Sequence, residues 1–151
     1  MSKILEKCIL ENFSKYLTSS NNQFGFKKET GCAHAIYCLR STIDHFCAYG
    51  STVNVCSLDV SKAFDRVNHF ALLGKLMVRR VPVNIVALLL NWFSNSYAMV
   101  SWAGVISGCL PLRAGVRQGG VLSPILFSVY IDCVILALQK KALDVILDCF
   151  V

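Results

Sequence analysis

One carboxylate stands where a strand is expected to end. Residues 51–60 read STVNVCSLDV, a β-branched stretch that leads into Asp59 and Val60. Side chains alternate between the two faces of a strand, so Asp59 is expected opposite Leu58 and Val60. Magnesium prefers one or two carboxylates with phosphate oxygens and water, and the Val60 carbonyl adds an oxygen. Two interpretations stay open: Asp59 caps the following turn and helix, or it holds a cation at the end of a sheet.

The residues after Asp59 allow a nucleotide pocket. Phe64 is expected in the core, with the floor of such a pocket, by stacking or steric exclusion near the sugar, as the alternative. Lys62 and Asp65 are interpreted as solvated turn residues or as partners of each other. His69 is interpreted as part of a helix cap, because no second ligand stands at metal spacing.

A second cluster is the loop GVRQGGVLSP, residues 115–124. Gly119 and Gly120 allow close backbone approach and unusual dihedral angles. Gln118 offers a donor and an acceptor, and Arg117 offers charge for phosphate. The helix expected after the loop directs its positive end toward it, which suits a phosphate-bearing ligand. The alternative is a tight turn between a hairpin and a helix, since GxxxxGK[ST] and GxGxxG are both absent.

Apolar spacing and breaker residues predict the elements that position these clusters. Helices are expected over 3–17, over about 31–49 with Thr30 as N-cap and Gly50 as stop, from Asn68 or His69 onward, over NIVALLLNWFSNS, and over SPILFSVYIDCVILALQKK with Ser123 as N-cap and Pro124 in the first turn. A hairpin is expected over YAMVSWAGVISGCLPLRAGV, with Gly104 and Gly108 as turn points, and ALDVILDCFV is a candidate strand. This order predicts an α+β domain with a small, largely antiparallel sheet and helices packed on one face.

Composition limits the class of protein. The chain has 151 residues, of which 55% are hydrophobic, and a net charge of +6. This predicts one core and weakly favours an anionic partner such as nucleic acid, with ordinary solubilising charge as the alternative. The eight cysteines form no CxxC pair and the chain opens MSKILEKC, so no signal peptide and an intracellular compartment, nuclear or cytoplasmic, are expected. Residues 119–138 are apolar but contain Pro124 and Asp132, so no transmembrane segment is expected.

Two segments together resemble the reverse transcriptases, most of all the polymerases of non-LTR (LINE-like) retrotransposons. SLDVSKAFDRVNHFALLGKL is similar to the family's first catalytic motif, and AGVRQGGVLSPILFSVYID to its glutamine-glycine motif and the following helix. NQFGFKKET, with helix 31–49 behind it, resembles the preceding fingers segment. The likeness covers about residues 20 to 138.

The resemblance implies a role for several residues. Asp59 would be the first metal-binding aspartate, catalytic through Mg²⁺, with the Val60 carbonyl as a further ligand. Phe64 would be the aromatic gate against the ribose hydroxyl, and Gln118 and Gly119 would line the nucleotide pocket. Lys27 or Lys28 would contact the template or the triphosphate, beside Arg117, whose own charge makes it a candidate phosphate contact. The implied partners are an RNA template, a DNA primer and deoxynucleoside triphosphates.

The departure from the family pattern is the aromatic-x-Asp-Asp turn, which does not occur before Val151. Asp148, in VILDCFV, is the late candidate, but it lacks a paired Asp and is interpreted as a surface or pairing residue. Further palm segments and the thumb are expected to be missing too. With Asp59 alone, magnesium should bind weakly, a second metal should lack its anchor, and the 151-residue chain should not polymerise.

The expected organisation is a single partial reverse transcriptase domain over 1–151. Residues 1–56 are expected to be fingers-like, 57–140 palm-like with inserted fingers elements, and 141–151 a truncated end. The fold would be a partial fingers–palm of the right-hand polymerase fold, and the function that of a retrotransposon polymerase fragment. The alternatives are a non-catalytic nucleic-acid-binding module and an unstable product of a decayed element.

Overall fold

The computed structural model of this chain describes residues 2–27 and 29–141. Within them, α-helices and short strands follow in this order: α1 (Ser2–Phe13), α2 (Cys32–Ala48), α3 (His69–Val78), α4 (Val83–Ser94), β1 (Tyr97–Ala98), β2 (Ser101–Trp102), β3 (Val105–Ile106), β4 (Leu110–Pro111) and α5 (Ser123–Gln139). Short 3-10 helices occupy Ser14–Tyr16 and Phe64–Arg66. The predicted α+β class with a small antiparallel sheet is confirmed.

The chain divides into two compact units. The first is built from Met1–Thr18 and Lys62–Tyr130, and the second from Ser19–Ser61 and Ile131–Val151. Most of the buried apolar side chains belong to the first unit, among them Ile9, Leu17, Val67, Leu72, Leu76, Leu89, Val116, Leu126 and Val129.

Two helices form the centre of the first unit. The predicted start of α3 is confirmed, because Asn68 is its N-cap and the Asn68 Oδ1 accepts the Ala71 N–H at 2.9 Å. Leu72 and Leu76 then recur one turn apart on one face of α3, and both are fully buried. Pro82 ends the connection and precedes α4, which packs against α3.

The predicted hairpin is a two-stranded ribbon. β1 pairs with β4 and β2 with β3, both antiparallel. The reversal between β2 and β3 is made by Ala103 and Gly104, whose φ angles of 47° and 81° are those of a type I′ turn. The prediction that Gly108 is a turn point is wrong, because the chain does not reverse there. Gly108 lies in a bulge, where the Ser107 hydroxyl accepts the Val100 N–H at 2.9 Å.

Helix α2 belongs to the second unit and differs from the prediction at its start. Its N-cap residue is Gly31, whereas the Thr30 hydroxyl donates to the Phe24 carbonyl at 3.0 Å. Thr30 as the N-cap is therefore wrong, because its hydroxyl is bonded within the preceding turn. Gly50 ends the helix as predicted, with a φ of 75° that favours glycine.

The predicted strand ending at Asp59 is wrong. Residues 51–60 form no strand in the described part of the chain, and Leu58 and Val60 are exposed. A strand requires hydrogen bonds to a neighbouring strand, and none of the described strands pairs with this segment. Leu58 and Val60 are thus not buried against a sheet.

The last described helix begins close to its predicted start. Ser123 is the first residue of α5, not the cap before it, because the Leu126 N–H already donates to the Leu122 carbonyl. Pro124 lies in the first turn, as predicted. The candidate strand ALDVILDCFV and Asp148 lie outside the described residues. None of the described helices has the length and apolar character needed to cross a membrane.

The cap of α3 gives a test of this fold. Replacing Asn68 by Ala removes the acceptor for the Ala71 N–H and should lower the free energy of unfolding by about 1 kcal/mol. Asn68→Asp keeps an acceptor and should stay close to the parent protein. Urea denaturation followed by circular dichroism measures both, and equal losses in the two variants would contradict the cap.

Candidate functional site

The loop at 115–122 is paired with the turn that contains Phe64. The Val116 N–H donates to the Phe64 carbonyl and the Gly115 N–H to the Val67 carbonyl, each at 2.8 Å. These bonds lie within the first unit. They bring together the two segments, around Phe64 and around Gln118, that the sequence marks as candidate nucleotide-binding elements.

Gly115 is required by this pairing. Its φ is 94°, and a Cβ there would lie 3.1 Å from both the Cα and the carbonyl oxygen of Asp65. These are backbone atoms, so they cannot move away as the end of a side chain could. Only glycine combines the dihedral angle with the close approach.

His69 fixes the same end of the loop. Its Nε2 lies 2.7 Å from the Gly115 carbonyl oxygen, and because a carbonyl only accepts, Nε2 donates. The ring is buried and stacks on Phe93, with 4.4 Å between centroids. The interpretation of His69 as part of a cap is wrong: the residue opens α3, and its side chain bonds the loop.

Phe64 lies in the core, as the sequence predicts. It is 9% exposed and meets Phe127 edge-to-face, with 5.1 Å between ring centroids. Phe127 lies on α5, so the aromatic pair joins the turn to the helix that follows the loop. The pocket-floor role of Phe64 stays a prediction.

The tip of the loop is exposed. Arg117, Gln118 and Gly119 face solvent, and the Gly120 N–H closes a turn onto the Arg117 carbonyl at 3.2 Å. The Gln118 Nε2 donates to Asp65 Oδ1 at 3.3 Å, whereas Asp65 meets Lys62 through the backbone, its N–H donating to the Lys62 carbonyl at 3.1 Å. Gly119 has a φ of 75° with open space around its Cβ position, so backbone conformation alone requires glycine there.

Glu6, on α1, holds the other end of the loop. Its Oε2 accepts the N–H groups of Val121 and of Leu122, the latter at 2.9 Å, and the residue is only 2% exposed. Sequence reasoning did not find this residue. The available signal was an acid three residues before Ile9, on the face of α1 that carries the buried Ile9.

This arrangement changes the expected use of the N-terminus of α5. The N–H groups just before the helix were expected to suit phosphate, but those of Val121 and Leu122 already bond the Glu6 carboxylate. An approaching phosphate would have to displace a negative charge from a site that favours one. The exposed part of the loop is therefore its tip and not the helix end.

The candidate metal ligands belong to the second unit. Asp59 and Val60 are both exposed. Within the described residues, no group of three His, Cys, Asp or Glu side chains could hold a metal ion. One carboxylate and one carbonyl fit a magnesium that substrate phosphates also bind, but not a site formed by the protein alone.

The candidate basic residues lie in different settings. The Lys27 ammonium, in the second unit, donates to the Ser20 carbonyl. Arg117 is exposed at the loop tip. Lys28 lies outside the described residues.

Comparison with known proteins identifies the class. The family profile described as reverse transcriptase (RNA-dependent DNA polymerase) matches residues 1–151, the whole chain. The profile therefore includes both paired segments and the helix that supplies Glu6.

Named relatives are polyproteins and polymerases of mobile elements. The chain is 33% identical over 92 residues to the Pol polyprotein of the type-1 retrotransposable element R2 of Popillia japonica, covering 61% of this chain and 15% of the relative. It is 32% identical over 139 residues to the RNA-directed DNA polymerase from mobile element jockey of Drosophila melanogaster, covering 86% and 14%. The probable RNA-directed DNA polymerase from transposon BS, also of Drosophila melanogaster, is 28% identical over 86% of this chain and 15% of its own length. The chain thus spans about one seventh of these relatives.

The two positive-φ glycines give a graded test. Gly119→Ala adds only the left-handed strain and should cost about 1 kcal/mol of unfolding free energy. Gly115→Ala adds strain and a backbone clash, and should cost about 3 kcal/mol. Chemical denaturation of both variants checks the order, and a Gly115→Ala protein as stable as the Gly119→Ala protein would contradict the pairing.

Proposed function

This chain belongs to the reverse transcriptase family, and from that premise we propose that its loop tip binds the incoming deoxynucleoside triphosphate in a non-LTR retrotransposon polymerase. The parent reaction would be template-directed addition of a deoxynucleotide to a primer 3′ end, with release of pyrophosphate. The observation that carries the proposal is the loop 115–122, anchored at both ends with Gln118 and Gly119 exposed between the anchors.

Gln118 and Gly119 would line the nucleotide pocket. The Gln118 amide has both a donor and an acceptor, and a base or sugar could replace its weak bond to Asp65. Gly119 lets the backbone approach the nucleotide without a side chain. Phe64, held by Phe127 behind the turn, would limit the space near the sugar.

Asp59 and Val60 would bind magnesium in the complete polymerase. Both residues are exposed, which would let a cation and the phosphates of a nucleotide reach them. When bound, the metal would neutralise charge on the transferred group. The chain contains no aromatic-x-Asp-Asp motif, so the metal-binding carboxylates of these 151 residues are incomplete.

Positive charge supports contacts to nucleic acid. Lys62, Arg66, Arg113 and Arg117 are exposed and lie on or beside the two paired segments of the site. Phosphates of a template, primer or triphosphate are the anions that such residues attract. Lys27 and Lys28 are proposed as further contacts from the fingers-like part, residues 1–56. Residues 57–140 would be the palm-like part, and residues 141–151 would follow it.

A non-catalytic nucleic-acid-binding module is the second candidate function. The net charge of +6 favours it, since binding to phosphates needs no complete metal site. It differs from the first candidate in requiring no nucleotide pocket.

Nucleotide binding tests the proposed pocket. A titration of the chain with dTTP and Mg²⁺, followed by NMR, should show saturable binding. Replacing Gln118 by Ala should weaken it about fivefold, the effect of one lost hydrogen bond. The control is Gln139→Ala, which removes an exposed glutamine at the end of α5 and should leave binding unchanged. Equal affinities of the Gln118→Ala and parent proteins would reject the pocket.

Primer extension and hybrid binding separate the two candidate functions. The isolated chain should not extend a DNA primer on an RNA template, because its metal-binding carboxylates are incomplete. It should bind an RNA–DNA hybrid with an affinity that falls steeply as salt rises. Robust extension that Asp59→Ala abolishes would overturn the expected inactivity. A hybrid bound without any dTTP binding would favour the non-catalytic module.

A further inference from the structure

We infer that Glu6 is a positioning residue that sets the conformation of the loop carrying Gln118 and Gly119, an inference that rests on the proposed nucleotide-binding function. Glu6 lies on α1, more than a hundred residues before the loop in the sequence. Among residues 2–27 and 29–141, its carboxylate accepts hydrogen bonds from the loop backbone, so its effect on a nucleotide would act through Gln118 and Gly119.

The geometry makes the contact specific. A single oxygen, Glu6 Oε2, accepts the consecutive N–H groups of Val121 and Leu122. Both groups lie at the start of α5, before the Leu122 carbonyl accepts the Leu126 N–H. The Leu122 N–H is therefore among the donors that a helix leaves unsatisfied, the Val121 N–H is the last donor of the loop, and a carboxylate from another helix satisfies both.

Because Glu6 is buried, its carboxylate and the loop backbone depend on each other. Glu6 is 2% exposed, and a buried carboxylate is costly unless donors bond it. The start of a helix favours negative charge, which adds to the bonds. Loop and carboxylate each therefore stabilise the placement of the other, and a loop shift away from Glu6 would leave an unpaired buried charge.

Gly120 shows how closely the loop passes the carboxylate. A Cβ at this position would lie 3.1 Å from Glu6 Oε2 and 2.6 Å from Ser123 Oγ. The consecutive glycines thus have separate tasks. Gly119 supplies the positive φ at the exposed tip, and Gly120 supplies room for the loop to meet Glu6.

The exposed tip of the loop lies between two anchors. The pairing of Gly115 and Val116 with the Phe64 turn fixes one end, and Glu6 fixes the other. Residues 117–119, between these anchors, are exposed. A binding loop held in this way loses little conformational freedom when a ligand arrives, and this favours affinity.

A matched set of variants tests the inference on the whole 151-residue chain. Glu6→Met keeps the approximate length of the side chain but has no oxygen acceptor. Glu6→Gln keeps an oxygen acceptor without the charge. Glu11→Met removes an exposed acid from the same helix and is the control. Ile9→Ala, also on α1, destabilises the core without altering the acceptor.

Two measurements are made on each variant: the exchange rates of the Val121 and Leu122 amide protons, and the affinity for dTTP with Mg²⁺. Glu6→Met should raise both exchange rates and weaken binding, each about tenfold, as expected for lost bonds to a charged acceptor. Compared with Glu6→Met, Glu6→Gln should restore most of the slow amide exchange and most of the dTTP affinity. Glu11→Met should change neither, and Ile9→Ala should leave the affinity of the folded protein unchanged. If Glu6→Met does not fold, Glu6→Asp, whose carboxylate is one methylene shorter, replaces it and should show both effects.

The outcomes separate the inference from the function on which it rests. Unchanged exchange of Val121 and Leu122 in Glu6→Met, or the same change in Glu11→Met, overturns the anchoring by Glu6. Faster exchange with unchanged dTTP affinity overturns its role in positioning the pocket. Absence of dTTP binding by the parent protein would reject the proposed pocket and with it the positioning role, while the exchange rates would still decide the anchoring.

Discussion

The bond between the Glu6 carboxylate and the N–H groups of Val121 and Leu122 is the constraint on which the candidate site depends. It joins α1 to the start of α5 and fixes the point where the loop becomes helix. Because the carboxylate is buried, the bond cannot be exchanged for water without cost. Phe127, in the helix that starts at this junction, packs edge-to-face against Phe64.

The opposite end of the loop is fixed by different chemistry. There the backbone of Gly115 and Val116 pairs with the Phe64 turn, and the His69 ring, stacked on Phe93, donates to the Gly115 carbonyl. A local cap at Asn68 places His69 at the first position of α3. Two adjacent residues thus have different roles: Asn68 caps the start of α3, and His69 supports the loop.

The sequence predicts local features of this molecule better than its long-range contacts. Asn68 and Gly50 were found because capping and positive φ depend on neighbouring residues. Glu6 was missed because its partners lie far along the chain, and an isolated acid on an apolar face does not identify them. The strand expected before Asp59 failed for a related reason: residues 51–60 have strand composition, but a strand depends on a partner that composition does not reveal. The family motifs were recognised because their residue types and order are local properties of the sequence.

The most direct test of the account is the distance between the Glu6 side chain and the loop in the parent protein in solution. Nuclear Overhauser effects between the Glu6 methylene protons and the amide protons of Val121 and Leu122 report on it without any substitution. The account predicts clear cross-peaks to both amides, since both donate to the same oxygen. A folded protein whose assigned Glu6 protons show no cross-peak to either amide would contradict the central claim that α1 anchors the loop proposed to bind nucleotide.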